Sequence, residues 1–238
     1  MLIFNCSRAF AGFIEPKAKA GTSPVVVPPP SADLASDAEL LRDHSGERVA
    51  HIQQWVVHLV RVRRQPCVIA MEAQTRYAML FTGLRKGDVA GFINRLVERL
   101  ANEMAFAAGD TGMASDLEVL MAEFLAQHGE FRFFQRPERS VQAHLNDVAW
   151  QLKEQVTTAD DLPQGHEQCA VFDAFANRLL RSTRDKKDYF VPAEEMLVDW
   201  LSRYGGLTLQ GETRLREVML QALRAQLTQQ IRAMGSSL

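Results

Sequence analysis

The chain has 238 residues, and its 27 basic and 29 acidic side chains leave a net charge of −2. That balance excludes a protein that holds nucleic acid through overall charge, and no apolar run of about 18 residues is present to cross a membrane. The three cysteines, Cys6, Cys67 and Cys169, are far apart and form no CxxC pair, which argues against a disulfide framework or structural zinc and suits reduced thiols in the cytoplasm.

Leu2–Cys6 reads as a strand too short to stand alone, so it is expected to pair with strands further along. Asn5, Arg8 and Glu15 interrupt the opening apolar run, unlike a signal peptide. Ser7 caps a short helix carrying Phe10, Phe13 and Ile14, and Pro16 ends it. Residues 16–31 form a proline-rich connector, because Pro28-Pro29-Pro30 favours polyproline II and forbids helix. An extended surface connector is favoured there over a segment that docks in a proline-binding groove. Residues 32–54 carry one or two helical turns.

The next stretch organises the fold. Trp55–Arg63 is rich in β-branched and aromatic residues and starts apolar on both alternating faces, as in a strand covered on both sides. Arg64-Gln65-Pro66 breaks it, and Cys67–Met71 and Arg76–Phe81 follow as strands joined by short, hairpin-length connections. Asp88 is placed to cap a long helix on which Val89, Phe92, Ile93, Leu96, Val97, Leu100 and Met104 form one apolar stripe.

Gly109 and Gly112 then open a break. Ser115-Asp116-Leu117-Glu118 matches a capping box, and Leu117, Leu120, Met121, Phe124 and Leu125 make the next stripe, with Gly129 beyond its end. Phe131–Phe134 is a strand or an extended aromatic plug. Ser140 starts a helix whose Val141, Leu145, Val148 and Leu152 share a face, with Trp150 elsewhere on its surface. The remainder is helical: a stripe of Cys169, Phe172, Ala176 and Leu179, a helix opened by Pro192, and a final long helix after Gly205-Gly206. The fold class expected is α+β. It comprises a small, mostly antiparallel sheet packed by the long helix in residues 1–110, followed by a mainly helical part in 111–238.

Several residue clusters bear on function. Residues 55–87 hold Arg61, Arg63, Arg64, Arg76, Arg85 and Lys86 against Glu72 alone. If these bases converge they would contact phosphates, with Trp55 and Tyr77 able to stack on bases. A solvated sheet rim is the plainer alternative. A second basic cluster, Arg178, Arg181, Arg184, Lys186 and Lys187 with Asp185 and Asp188, reads as an inter-helix loop. His44, His51 and His58 recur every seven residues but lack the acidic or thiol neighbours a metal site needs, so no metal and no cofactor is expected. No phosphate loop, dinucleotide fingerprint, HExxH or GxSxG occurs. Arg139 and His144 resemble the R-x4-H signature of the HEPN ribonucleases, in which an imidazole and a guanidinium act on the scissile phosphate. A helix start capped by Ser140, with Arg139 in a surface pair and His144 partly exposed, is the plainer reading.

As a set, five segments resemble an uncharacterised bacterial family found in plasmid and phage settings. They are Met1–Arg8, Trp55–His58, Arg64–Met71, Gly83–Lys86, and Arg139-Ser140-Val141 with Asn146-Asp147. The resemblance covers roughly residues 1–155 and implies no catalytic residue. Together these readings point to a non-enzymatic binding or regulatory protein, an accessory of a mobile element. A protein is its expected partner, and nucleic acid is a further one through the basic hairpin. The alternative is a HEPN-like ribonuclease using Arg139 and His144.

Overall fold

A computed structural model describes residues 1–16, 23–49, 51–113, 116–184 and 188–235. In chain order its elements are β1 (Leu2–Cys6), α1 (Arg8–Ile14), β2 (Val26–Val27), α2 (Leu34–Leu40), β3 (Gln53–Val62), β4 (Gln65–Glu72), β5 (Ala78–Phe81) and α3 (Val89–Thr111). There follow α4 (Leu117–Gln127), β6 (Phe131–Gln135), α5 (Arg139–Ala159), α6 (Gly165–Ala176), α7 (Pro192–Tyr204) and α8 (Leu209–Gly235). The class is α+β, as expected.

The strands lie in the order β2-β6-β1-β3-β4-β5. The pairs β3–β4 and β4–β5 are antiparallel, whereas β1–β3, β1–β6 and β2–β6 are parallel. The sheet is therefore mixed, which corrects the mostly antiparallel sheet read from the sequence. Tight turns dictate antiparallel neighbours within residues 53–81. The strand β1 is separated from both of its partners by long connections, and side-chain alternation carries no information on strand direction. The strand β6 enters from beyond residue 110 to lie between β1 and β2.

The β3–β4 turn is tighter than expected. Val62 pairs with Gln65, so only Arg63 and Arg64 turn the chain, with φ of 48° and 66°. Positive φ at both positions is the type I′ pattern that matches strand twist. Pro66 consequently sits inside the ladder, opposite Arg61. The Val62–Gln65 pair beside the turn is the hydrogen-bonded one, so the nitrogen of residue 66 faces away from β3. On that side β5 begins to pair only at Val68, so no ladder bond is lost. The strand β5 starts at Ala78 rather than Arg76, because Arg76 adopts φ 61°.

Alternation sends Trp55, Val57, Val68, Ala70, Met79 and Phe81 to one face, under α1, α3, α4 and α7. Val56, Cys67, Ile69, Met71, Ala78 and Leu80 face α5 and α6. Ile3 and Phe134 pack with Met1 and Leu41 over the β1–β6 side. The stripe of α3 is buried at Phe92, Ile93, Leu96, Leu100 and Met104, each such burial contributing about 1.5–3 kcal/mol. Phe92 meets Phe4 at 5.3 Å between ring centroids, and Phe4 stacks on Phe133 at 4.9 Å. Asp88 caps α3 through the Gly91 amide at 2.8 Å. The helix runs through Gly109 and stops at Gly112, whose φ of 64° suits a residue without Cβ. The capping box expected at α4 involves Ser115, which lies outside the described residues. Asp116 caps that helix through the Glu118 and Val119 amides.

Candidate functional site

One cluster of buried ionisable groups lies along the outer edge of β5, separate from the buried Arg136–Asp37 pair. Asn177 Oδ1 accepts from the Ala78 amide at 2.7 Å, and its Nδ2 donates to the Ala78 carbonyl at 2.8 Å. Asp173 Oδ1 accepts from the Leu80 amide at 2.8 Å, while Arg99 Nη1 donates to the Leu80 carbonyl at 2.6 Å. Arg99 also forms an ion pair with Asp173 and lies 3.5 Å from Glu103, which accepts from the Tyr77 hydroxyl. Burial holds the Asp173 and Glu103 carboxyls above the usual range, and the Arg99 charge opposes it. Perturbed groups of this kind mark active sites elsewhere. Here they are engaged in closing a sheet edge.

The residues expected to hold nucleic acid divide between the two ends of the sheet. Arg61, Arg63 and Arg64 are exposed at the β3–β4 turn. Arg61 donates to the Arg64 carbonyl at 3.3 Å. Arg63 donates to the Asp160 carbonyl at 2.7 Å and pairs with its carboxylate, so its charge sits on the C-terminus of α5. Phe81 pairs with Val68, nearer the turn than Ala78, so exposed Arg85 and Lys86 leave the sheet at the same end. Arg76 lies at the other end, buried, with its guanidinium on the Ala73 carbonyl. Trp55 and Tyr77 are buried in the core beneath α3, with no ring face turned to solvent. Five bases thus share one end of the sheet without a stacking aromatic.

Arg139 is exposed and His144 half-buried on α5. Five helical residues separate side chains by about 140° around the axis, so the two diverge within one chain. Burial lowers the His144 imidazole, and nearby Arg76 and Arg181 lower it further. A polar cleft of about 530 Å³ opens beside the start of α5, lined by Thr75, Arg76, Ser140, Glu195, Asp199 and Arg216, and it includes neither Arg139 nor His144. Its carboxylates are held by arginines: Arg216 reaches Glu195 at 2.7 Å and Glu212 at 2.8 Å, and Arg203 reaches Asp199 at 2.7 Å. Among the three evenly spaced histidines, His44 pairs with Glu130 at the surface and His58 is half-buried on β3.

Two further surface features are apolar. The helix α4 buries Leu120 and Phe124 yet turns Val119, 55% exposed, and Leu125, 51% exposed, to solvent. Between α3 and α4 runs a groove of about 660 Å³ lined by Val97, Ala101, Met121 and Leu125 and closed by Phe131. Asn94, Glu98 and Asn102 follow one another by single turns along its α3 rim. Phe106, 76% exposed, continues that row. A second groove of about 480 Å³ lies between α5 and α6, where Trp150 and Phe175 are 62% and 52% exposed.

A family model described as a domain of unknown function, DUF6933, matches residues 31–195. The chain belongs to this family. No curated protein and no solved structure matches it. The DUF6933 match spans β3 to β6 and α2 to α6, so both apolar grooves lie within it.

Sequence reasoning misses the α3–α4 groove. Leu117, Leu120, Met121, Phe124 and Leu125 form one stripe at helical spacing, and the spacing does not tell that Leu125 stays uncovered. Trp150, off the core stripe of α5, is a sign for the second groove.

Proposed function

We propose that this DUF6933 protein is a non-enzymatic binding protein whose partner is another protein, docked in the α3–α4 groove. The observation that carries the reading is the groove itself, where Leu125, 51% exposed, lies with Met121, Val97 and Phe131. Exposed, contiguous apolar surface of this kind marks interaction sites on folded proteins. The bonded state of the buried ionisable groups supports a binding role over a catalytic one. A role as accessory of a mobile element belongs to the same proposal. So does a cytoplasmic location, which three free, buried cysteines support. Among the described residues no helix is long and apolar enough to cross a membrane.

The test is affinity capture from a native lysate with the wild type, Leu125→Asp and Met121→Asp, each shown to be folded by circular dichroism. A partner retained by the wild type and lost by both variants supports the reading. Equal capture by all three removes the groove. Cleavage of RNA by the purified protein, abolished by Arg139→Ala or His144→Ala, would replace binding with the HEPN-like reading.

A further inference from the structure

The α3–α4 groove also has a charge character, and it narrows the class of partner. Residues 100–131 contain Glu103, Asp110, Asp116, Glu118, Glu123 and Glu130 and not one lysine or arginine. Glu103 is engaged by Arg99 and Tyr77, Glu130 by His44, and Asp116 caps α4. Asp110, Glu118 and Glu123 are exposed and carry no ion pair among the described residues, and neither does Glu98 on the α3 rim. Glu118 precedes Leu125 by seven residues, two helical turns, and so borders the same side of the groove. His128, which also lines the groove, adds no positive charge near neutral pH because burial keeps its imidazole neutral.

Resting on the binding reading above, we infer that the occupant is a basic amphipathic helix of a partner protein. Its apolar stripe would lie between Met121, Leu125, Val97 and Ala101, with lysines or arginines over Glu98 and Glu118. A groove between two helices presents ridges at the spacing another helix fills, which is the helix-in-groove mode of peptide recognition. From Ile93 to Asn102 the α3 side of the groove runs about 14 Å, enough for two to three turns of a docked helix. The other classes of occupant fit less well. Nucleic acid and anionic membrane would be repelled by the carboxylates. A second copy would set acid against acid across a twofold axis, which disfavours docking. Strand addition at β5 is blocked by Asn177, Asp173 and Arg99.

The test uses fluorescein-labelled synthetic peptides of about 16 residues, built of leucine and lysine with the leucines at helical spacing. Controls replace every lysine by glutamate or scramble the spacing. In fluorescence anisotropy the basic amphipathic peptide is expected to bind at least about tenfold tighter than either control and to weaken as salt rises. Glu98→Lys/Glu118→Lys, both at exposed positions, should reverse the charge preference, and Leu125→Asp should abolish binding. Equal binding of basic and acidic peptides would overturn the inference while leaving the groove as a docking site. Basic-peptide binding unchanged in the charge-reversal variant would place it elsewhere and also overturn the inference. No binding by any peptide would overturn it too, and whether the reading itself fails is then decided by the capture experiment. A dimer in sedimentation that Leu125→Asp dissociates would assign the groove to a second copy.

Discussion

Asn177, at the C-terminal cap of α6, clasps a single residue of β5, Ala78, accepting from its amide at 2.7 Å and donating to its carbonyl at 2.8 Å. One side-chain amide thereby makes the pair of bonds that a neighbouring strand would make. With Asp173 and Arg99 doing the same at Leu80, the edge of the sheet is covered, which prevents pairing with another chain. Asn177→Ala leaves both backbone groups of a buried residue without partners, at a cost of about 1–3 kcal/mol each. Urea unfolding should show a loss in that range or greater. Asn177→Asp, which keeps an acceptor but loses the donor, should also be destabilised.

Asp173 and Arg99 form a buried pair, and breaking one half strands the other. Asp173→Ala should cost about 3–5 kcal/mol, because Arg99 keeps its charge in the interior and the Leu80 amide loses its acceptor. In a double-mutant cycle, Arg99→Met/Asp173→Ala should be less damaging than the two single losses added together, by at least about 1 kcal/mol. Additive losses would show that the two residues act independently.

His128 makes stability depend on acid. Its Nδ1 lies 2.5 Å from the Phe124 carbonyl and so carries the proton, leaving Nε2 to accept from the Tyr204 hydroxyl at 3.3 Å. Burial lowers the imidazole from its ordinary 6.5 to about 4. The folded value is the lower one, so between those two pH values the unfolded chain binds a proton that the folded chain does not. Stability must therefore fall as pH drops through that window, by about 1.4 kcal/mol per unit, and the loss levels off below it. His128→Phe should flatten the slope of denaturation midpoint against pH. An imidazole seen by NMR to titrate near 6.5 in the folded protein would refute this.

The β3–β4 turn holds Arg64 at φ 66°, where an L side chain is strained. Arg64→Gly should raise stability by about 1 kcal/mol, because relief of that strain outweighs the entropy glycine adds to the unfolded chain. Thermal unfolding checks the sign. A drop would mean that the Arg64 side chain stabilises the turn through contacts of its own.

The boundaries of β1, the caps at Ser7 and Asp88, the stripe of α3 and the inward face of α5 are all legible in the amino-acid sequence. Those features depend on residues a few positions apart, and spacing along the chain records them directly. The pairing of β1 with β3 and β6 is not legible there, because alternation states which face a side chain takes and not which strand lies beside it. The same limit applies to function. The six bases of residues 55–87 add up along the chain, but strand direction sends Arg76 to one end of the sheet and the other five to the opposite end. Trp55 and Tyr77 have the chemistry to stack on a base, and packing beneath α3 removes them from solvent. The sign is reversed for Val119, Leu125 and Phe106. Their composition suits an interior, and only the tertiary arrangement leaves them on the surface, Leu125 lining the groove between α3 and α4.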